Sequence, residues 1–236
     1  MKLPFIEKTW NEVSITQSKT GFGIYLDKSY LRSFNGYKIM LPTKKLAEKV
    51  QRELKKENVG NKYRIMPATR LIFESFDKIK EKRTSVIDQL IEYADTDIVC
   101  YRDLEKGTLN DIQARNWDPL LNWSEVKLGI RLEHRKGIQY KAQNSLELKK
   151  ARTILNSCTF FELVAVNKLI QLSGSFIIGQ AVAKNFCSAS KGWENSFLEE
   201  LWQNEIWGTD SDAQAILQEK KKEFVFAKSF LKLLEI

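Results

Sequence analysis

The spacing of apolar residues changes character at Pro42. Before it, between Trp10 and Leu41, the runs VSITQ, FGIYL, YLRSF and YKIML are short and rich in β-branched and aromatic residues, and they predict a β-meander. Lys19-Thr20-Gly21, Asp27-Lys28-Ser29 and Asn35-Gly36 supply the turns. Asn35-Gly36 predicts a type I′ turn, whose two central residues both need positive φ. After Pro42, Thr43 is placed to cap a helix in which Leu46, Ala47, Val50 and Leu54 form one stripe and Lys45, Lys49, Arg52 and Lys56 the opposite face. A link through Gly60 leads to Tyr63–Met66, read as a further strand. Pro67 then opens a helix through Leu71, Ile72 and Phe76. The charged break Glu81-Lys82-Arg83 separates an amino-terminal domain, 1–83, from a carboxy-terminal one, 84–236.

Beyond the break the period is helical. Thr84 opens a helix with Ile87, Leu90, Ile91 and Ala94 inward, ended by Asp95-Thr96-Asp97. Ile98–Tyr101 fits either an extended or a helical segment. Asn110 is placed to cap the next helix, with Trp117, Leu120, Leu121 and Ser124 on one side. Pro119 is costly inside a helix, so Asp118-Pro119 predicts a fresh start there. Gly129 closes that element, Arg131–Tyr140 is a polar, extended excursion, and helices resume near Ser145. The centre of this half is Thr159–Phe186, uncharged from Leu169 to Ala183 and apolar on every face. Such a helix must be buried. The run is too short for a bilayer, which needs ~20 apolar residues, so a protein core is expected. Ser175, Gly179 and Ala183 make a small-residue stripe for close helix approach, and Ser173-Gly174 is a candidate kink. Trp193, Phe197 and Leu201 form one stripe of a helix stopped by Gly208. Ser211 with Gln214 resembles a capping box, and the last helix runs through Leu217, Phe224, Leu231 and Leu234. The fold class is α+β: a small β-meander/α domain, then an all-helical domain.

Composition adds limits. The 236 residues are 43% hydrophobic and 29% charged, which is globular and not disordered. Three widely spaced cysteines, Cys100, Cys158 and Cys187, argue for free thiols in a reducing compartment. No signal or targeting segment is seen at the amino terminus, so a bacterial cytoplasm, or a mitochondrial matrix if the source is eukaryotic, is expected. The net charge of +8 is spread along the chain with acids between the lysines, which reads as a soluble surface. The alternative is a basic RNA- or membrane-surface-binding protein.

Catalytic constellations are scarce. His134 is the single histidine, and nothing near it resembles a nucleophile elbow. Gly21-Phe22-Gly23 lacks the third glycine and the following helix of a dinucleotide fingerprint. Asp95-x-Asp97 could hold a magnesium ion, but it reads better as a helix-end cap followed by a pair with Arg102, because no third ligand is nearby. Glu194, Glu199, Glu200 and Glu205 share one helix and suit an acidic face or an anchor for a basic partner. Trp117 and Trp123, and Trp193, Trp202 and Trp207, are core anchors or, if exposed, partner anchors. No catalytic residue, metal or cofactor is expected.

Five blocks carry a resemblance. They are Met66-Pro-Ala-Thr-Arg-Leu71, Tyr93-Ala-Asp-Thr-Asp-Ile-Val-Cys-Tyr-Arg102, Gln113-x-x-x-Trp117-Asp-Pro-Leu-Leu-x-Trp123, Leu172-Ser-Gly-Ser175 and Leu198-Glu-Glu-Leu-Trp-Gln-x-x-x-Trp-Gly208. In this order and spacing the chain, from Trp10 to about Leu234, resembles the assembly chaperones for the α subunit of the F-type ATP synthase. The resemblance implies a smaller α+β domain followed by a helical one. It implies a client, the unassembled α subunit, held by a monomer without nucleotide hydrolysis, nucleic acid or membrane insertion. The family's motif places a functional acid at Glu200, with Glu199 its looser neighbour. The other client-contact candidates drawn from these blocks are Trp202, Trp207, Asp95, Asp97, Arg102, Trp117 and Asp118. Two positions depart from the family pattern: Leu54 follows Glu53 where a tryptophan is usual, and Leu201 follows Glu200 where a third acid is frequent.

Overall fold

A computed structural model describes residues 9–56, 66–104, 107–208 and 211–235. The strand expected over Tyr63–Met66 falls on 63–65, outside the described residues, and so does the side chain of Ser211 in the expected capping box. The fold is α+β, and the chain divides into two compact units. One comprises 1–83 with 159–164 and 229–236; the other comprises 84–158 and 165–228. The division is therefore not a single cut, since two short carboxy-terminal stretches join the amino-terminal residues.

In the first unit strands form in all four expected runs, but the sheet is a meander only over the first three, because the fourth strand pairs back onto the second. β1 (Val13–Ser18) and β2 (Gly21–Leu26) pair antiparallel along their whole length, from Val13 opposite Leu26 to Ser18 opposite Gly21. The other edge of β2 is shared. β3 (Ser29–Tyr30) pairs with Leu26 and Tyr25, and β4 (Met40–Leu41) pairs with Gly23 and Phe22. The Asn35-Gly36 turn differs from the expectation. Gly36 has φ 82°, but Asn35 does not have positive φ, and the Gly36 N–H donates to the Ser33 carbonyl at 3.0 Å. This is a three-residue loop ending on a left-handed glycine. A tertiary acceptor holds it: Asp77 takes bonds from the Ser33 hydroxyl (2.5 Å) and from the Phe34 and Asn35 amides (3.0 and 3.2 Å).

α1 (Lys44–Lys55) begins at Thr43, whose hydroxyl accepts the Leu46 N–H at 3.2 Å. Leu46, Ala47, Val50 and Leu54 are buried as their spacing predicts. Leu54 keeps its apolar position, and its carbonyl accepts the Trp10 indole N–H at 3.0 Å. α2 (Pro67–Glu74) has proline in its first turn and no side-chain cap of its own. Its N-terminus is satisfied from α1 instead. The buried Glu53 carboxylate accepts the amides of Ala68 (3.1 Å) and Thr69 (2.9 Å) and the Thr69 hydroxyl (2.9 Å). A carboxylate at a helix N-terminus meets free N–H groups and the positive end of the helix dipole. Past a wide turn at Ser75–Ile79, Phe76 meets Phe160 and Phe161 edge-on, which ties 159–164 to this unit.

The second unit is mainly helical, apart from the 129–144 excursion, and two residues of β5 (Tyr101–Arg102) pair in parallel with two of β6 (Arg135–Lys136). α3 (Arg83–Asp95) ends where the sequence places its stop, and a tight turn at Ile98–Cys100 leads into β5. α4 (Thr108–Trp123) starts two residues before Asn110, so Asn110 is not its cap, and it runs straight through Pro119. Gln113, Trp117 and Leu120 bury one face and hold the helix, while Pro119 and Arg115 sit on the exposed face, where water can satisfy the carbonyl that proline leaves without a donor. Gly129 closes the element in the left-handed region at φ 68°.

α5 (Ser145–Ser157) follows. The apolar centre is then two helices, α6 (Phe160–Ser173) and α7 (Phe176–Ala183). Ser173-Gly174 breaks the run rather than bending it: Gly174 has φ 66°, and Ser175 restarts the helix by accepting the Ile178 N–H at 2.9 Å. Residues Phe176 to Val182 are all buried. Gly179 is the point of closest approach, since a Cβ there would lie 3.0 Å from the Ile170 backbone nitrogen. The single helix expected through Trp193, Phe197 and Leu201 is also two, α8 (Ala189–Ser196) and α9 (Leu198–Trp207), and Leu201 is exposed. Gly208 stops α9, and α10 (Ser211–Leu234) completes the chain with Phe224, Ala227 and Phe230 buried. Among the described residues no helix is long and apolar enough to cross a membrane.

Candidate functional site: a groove between α4 and α9

The second unit carries an open groove of about 1010 Å³. α4 supplies Gln113 and Trp117, the β5 segment supplies Arg102, and α9 supplies Glu199 and Glu200. Four of the sequence-derived candidates, Arg102, Trp117, Glu199 and Glu200, thus line one space.

Each has a different job. Trp117 is buried, and its indole N–H donates to the Asn195 carbonyl at 2.9 Å, which anchors α8 to α4. Arg102 is buried above it, its guanidinium 5.1 Å from the Trp117 ring. The guanidinium donates to the carbonyls of Val99 and Tyr101 and to the Asp118 carboxylate, the last at 2.8 Å. Arg102 therefore pairs with Asp118 and not with Asp95 or Asp97, against the expectation of a helix-end pair. A buried guanidinium with its donors satisfied rigidifies a site more than it advertises charge.

Glu199 is held by Gln113. The Gln113 side-chain amide donates to Glu199 at 2.6 Å while its carbonyl oxygen accepts the Asp103 N–H at 2.8 Å, so one buried glutamine positions both walls. Glu200 is exposed at the groove edge, and no ion pair joins it to a described residue. Trp207 lies two turns on from Glu200 along α9 and is 74% exposed, while Trp202 is half-buried.

The remaining candidates serve the fold. Asp95 accepts the Tyr140 hydroxyl at 2.6 Å and the Gln143 N–H at 2.7 Å, which pins the 131–144 excursion and raises the Tyr140 hydroxyl pKa. Asp97 is wholly buried. It accepts the Val99 N–H at 3.2 Å and the Ile177 N–H at 2.9 Å, so it caps both the 98–100 turn and the start of α7. Burial pushes its carboxyl up to about 7, against the pull of the Ser175 hydroxyl and the surrounding amides. Among the described residues no group of three His, Cys, Asp or Glu side chains could hold a metal ion. His134 is exposed on the excursion.

Sequence reasoning missed Gln113 as a site residue, although its motif block was noted, and it missed Leu104 and Ile138 altogether. Ile138 is 95% exposed and Leu104 69% exposed, and both line the groove. The available signal was an isoleucine in a stretch that is polar apart from Leu132 and the terminal Tyr140.

The groove therefore combines the buried Trp117 and the exposed Leu104 and Ile138 with the carboxylates of Glu199 and Glu200. The chain belongs to the ATP12 chaperone family, whose model, described as ATP12 chaperone protein, matches residues 7–125. It is similar to the mitochondrial protein atp12 of Schizosaccharomyces pombe, with 29% identity over 167 residues. That match takes in 66% of this chain and 57% of the relative, so the chain spans little more than half of that protein's length. Among solved structures it is similar to Atp12 from Paracoccus denitrificans (TM-score 0.90, 28% identity, covering 97% of this chain and 98% of that one). It is also similar to the Atu1473 protein of Agrobacterium tumefaciens (TM-score 0.89, 25% identity, covering 97% and 86%).

Proposed function

We propose that this chain is an assembly chaperone of the F-type ATP synthase that holds the unassembled α subunit until the β subunit takes its place. Membership of the ATP12 chaperone family carries this reading. The α subunit as client is what the resemblance of the ordered motif blocks supports, and these run from Met66 to Gly208, beyond the end of the part the family model matches. A free subunit exposes apolar surface that it will later bury, and such a patch drives aggregation. A chaperone needs exposed apolar groups of its own to cover it. Trp207, Ile206, Leu201, Ile138 and Leu104 are exposed on the second unit. The protein then acts by reversible binding, with Glu200 and Trp207 on the contact surface and Arg102, Trp117, Gln113 and Asp118 holding that surface in shape.

The test is co-expression of the α subunit from the same organism with and without this chain. The α subunit is expected to stay soluble only in its presence, to co-purify with it, and to leave when β is added. An α subunit that aggregates to the same extent in both cultures would overturn the proposal.

A further inference from the structure

The two sides of the groove differ in chemistry. On one side Leu104 and Ile138 form an apolar lip. Leu104 lies against the backbone of Gly137, where a Cβ would come within 3.0 Å of its Cδ2, and Gly137 takes φ 75°. That glycine lets the lip close up and leaves Ile138 facing water. On the other side α9 presents Glu199 and Glu200. The cation beneath them does not neutralise this wall, because Arg102 is paired with Asp118 and turned to backbone carbonyls. Acidic and exposed apolar side chains thus line one groove in a chain whose net charge is +8.

Taking the chaperone reading as its basis, we infer that the groove seats a client segment in which a lysine or arginine is flanked by large apolar side chains. The basic head meets Glu200 and Glu199, and the apolar neighbours cover Ile138, Leu104 and the floor above Trp117. Charge complementarity selects this occupant: a phosphate backbone or an anionic headgroup would meet like charge at α9. Size agrees, because the space is at the upper end of the ~300–1,000 Å³ typical of ligand pockets and takes several side chains. The exposed lip also suits an extended partner better than a small molecule, which would leave Ile138 in water.

The experiment measures fluorescence anisotropy of three short labelled peptides against the full-length protein: alternating leucine and arginine, alternating leucine and glutamate, and alternating serine and arginine. The leucine–arginine peptide is expected to bind best, and more weakly as salt rises. Ile138→Ser is expected to weaken it about tenfold or more, since an apolar contact is lost and no charge is introduced. Ile138 is almost wholly exposed, so this variant should keep its circular dichroism spectrum. Glu200→Lys is expected to shift preference toward the leucine–glutamate peptide. Equal affinity for the three peptides, or no effect of Ile138→Ser, would overturn the inference. Self-association that Ile138→Ser abolishes would give the groove to a second copy and overturn it as well. Retention of the α subunit is scored in parallel. If the α subunit is held although the peptides do not discriminate, the groove assignment fails and the chaperone reading stands. If the peptides discriminate and no α subunit is held, the reverse applies.

Discussion

Asp97 and Lys228 close opposite ends of the same buried helix. The Asp97 carboxylate accepts the Ile177 N–H at 2.9 Å where α7 begins, and the Lys228 ammonium donates to the Ala183 carbonyl at 3.0 Å where it ends. Both side chains are buried. An apolar helix of eight residues is too short to be stable alone, and its first amides are buried away from water. An acid at the N-terminus and a base at the C-terminus satisfy end groups of the helix and oppose its dipole with the correct signs. The most apolar stretch of the chain is thus held at both ends by ionisable side chains from outside it.

Removing the Asp97 carboxylate should expose this dependence. Asp97→Ala leaves the Val99 and Ile177 amides buried without an acceptor, and the expected loss is about 2–4 kcal/mol. Urea unfolding followed by tryptophan fluorescence measures it.

The same residue sets a pH dependence. The folded carboxyl titrates at about 7, against an ordinary value of 3.8, so the folded chain binds this proton more tightly than the unfolded chain does. The Asp97 contribution to stability is therefore full below about 4 and is lost as pH rises toward 7. Urea midpoints of wild type and Asp97→Asn across that window check the sign: the variant should lack this decline.

Glu53 plays the corresponding part in the first unit. Glu53→Ala takes the acceptor from two buried amides and a hydroxyl at the start of α2, with an expected cost of about 2–4 kcal/mol. Glu53→Gln keeps an acceptor oxygen and should lose less. Amide exchange at Ala68 and Thr69 reports the local effect directly.

Gly179→Ala tests the close approach of α6 and α7. The added methyl would meet the backbone of Ile170, which cannot rotate aside, so overpacking should cost about 1–3 kcal/mol. A lowered melting temperature with unchanged secondary structure is the expected reading.

Gln113 and Glu200 should separate architecture from surface. Gln113→Ala breaks a 2.6 Å bond to Glu199 and leaves the Asp103 amide without its partner, with an expected loss of about 1–3 kcal/mol and faster amide exchange along α9. Glu200→Ala removes an exposed carboxylate and should change stability by less than about 0.5 kcal/mol. Comparing both by urea unfolding checks the contrast.

Local pattern alone determined a good deal. The positions of the four strands, the Leu46-Ala47-Val50-Leu54 stripe, the proline-led start of α2, the stop at Asp95-Thr96-Asp97 and the burial of the uncharged run were all legible. Periodicity and turn chemistry act over a few residues and need no knowledge of the rest of the chain. The ordered motif blocks carried the family as well.

Tertiary structure decided what depends on partners distant in sequence. Asn35-Gly36 adopts a loop suited to the Asp77 carboxylate, α4 continues through Pro119 because its buried face outweighs one missing hydrogen bond, and Arg102 chooses Asp118 over the nearer acids. The groove is of the same kind. Glu199, Gln113 and Ile138 become neighbours only when α9, α4 and the excursion fold onto one another. An exposed isoleucine and a buried one have the same letter, and only packing tells them apart.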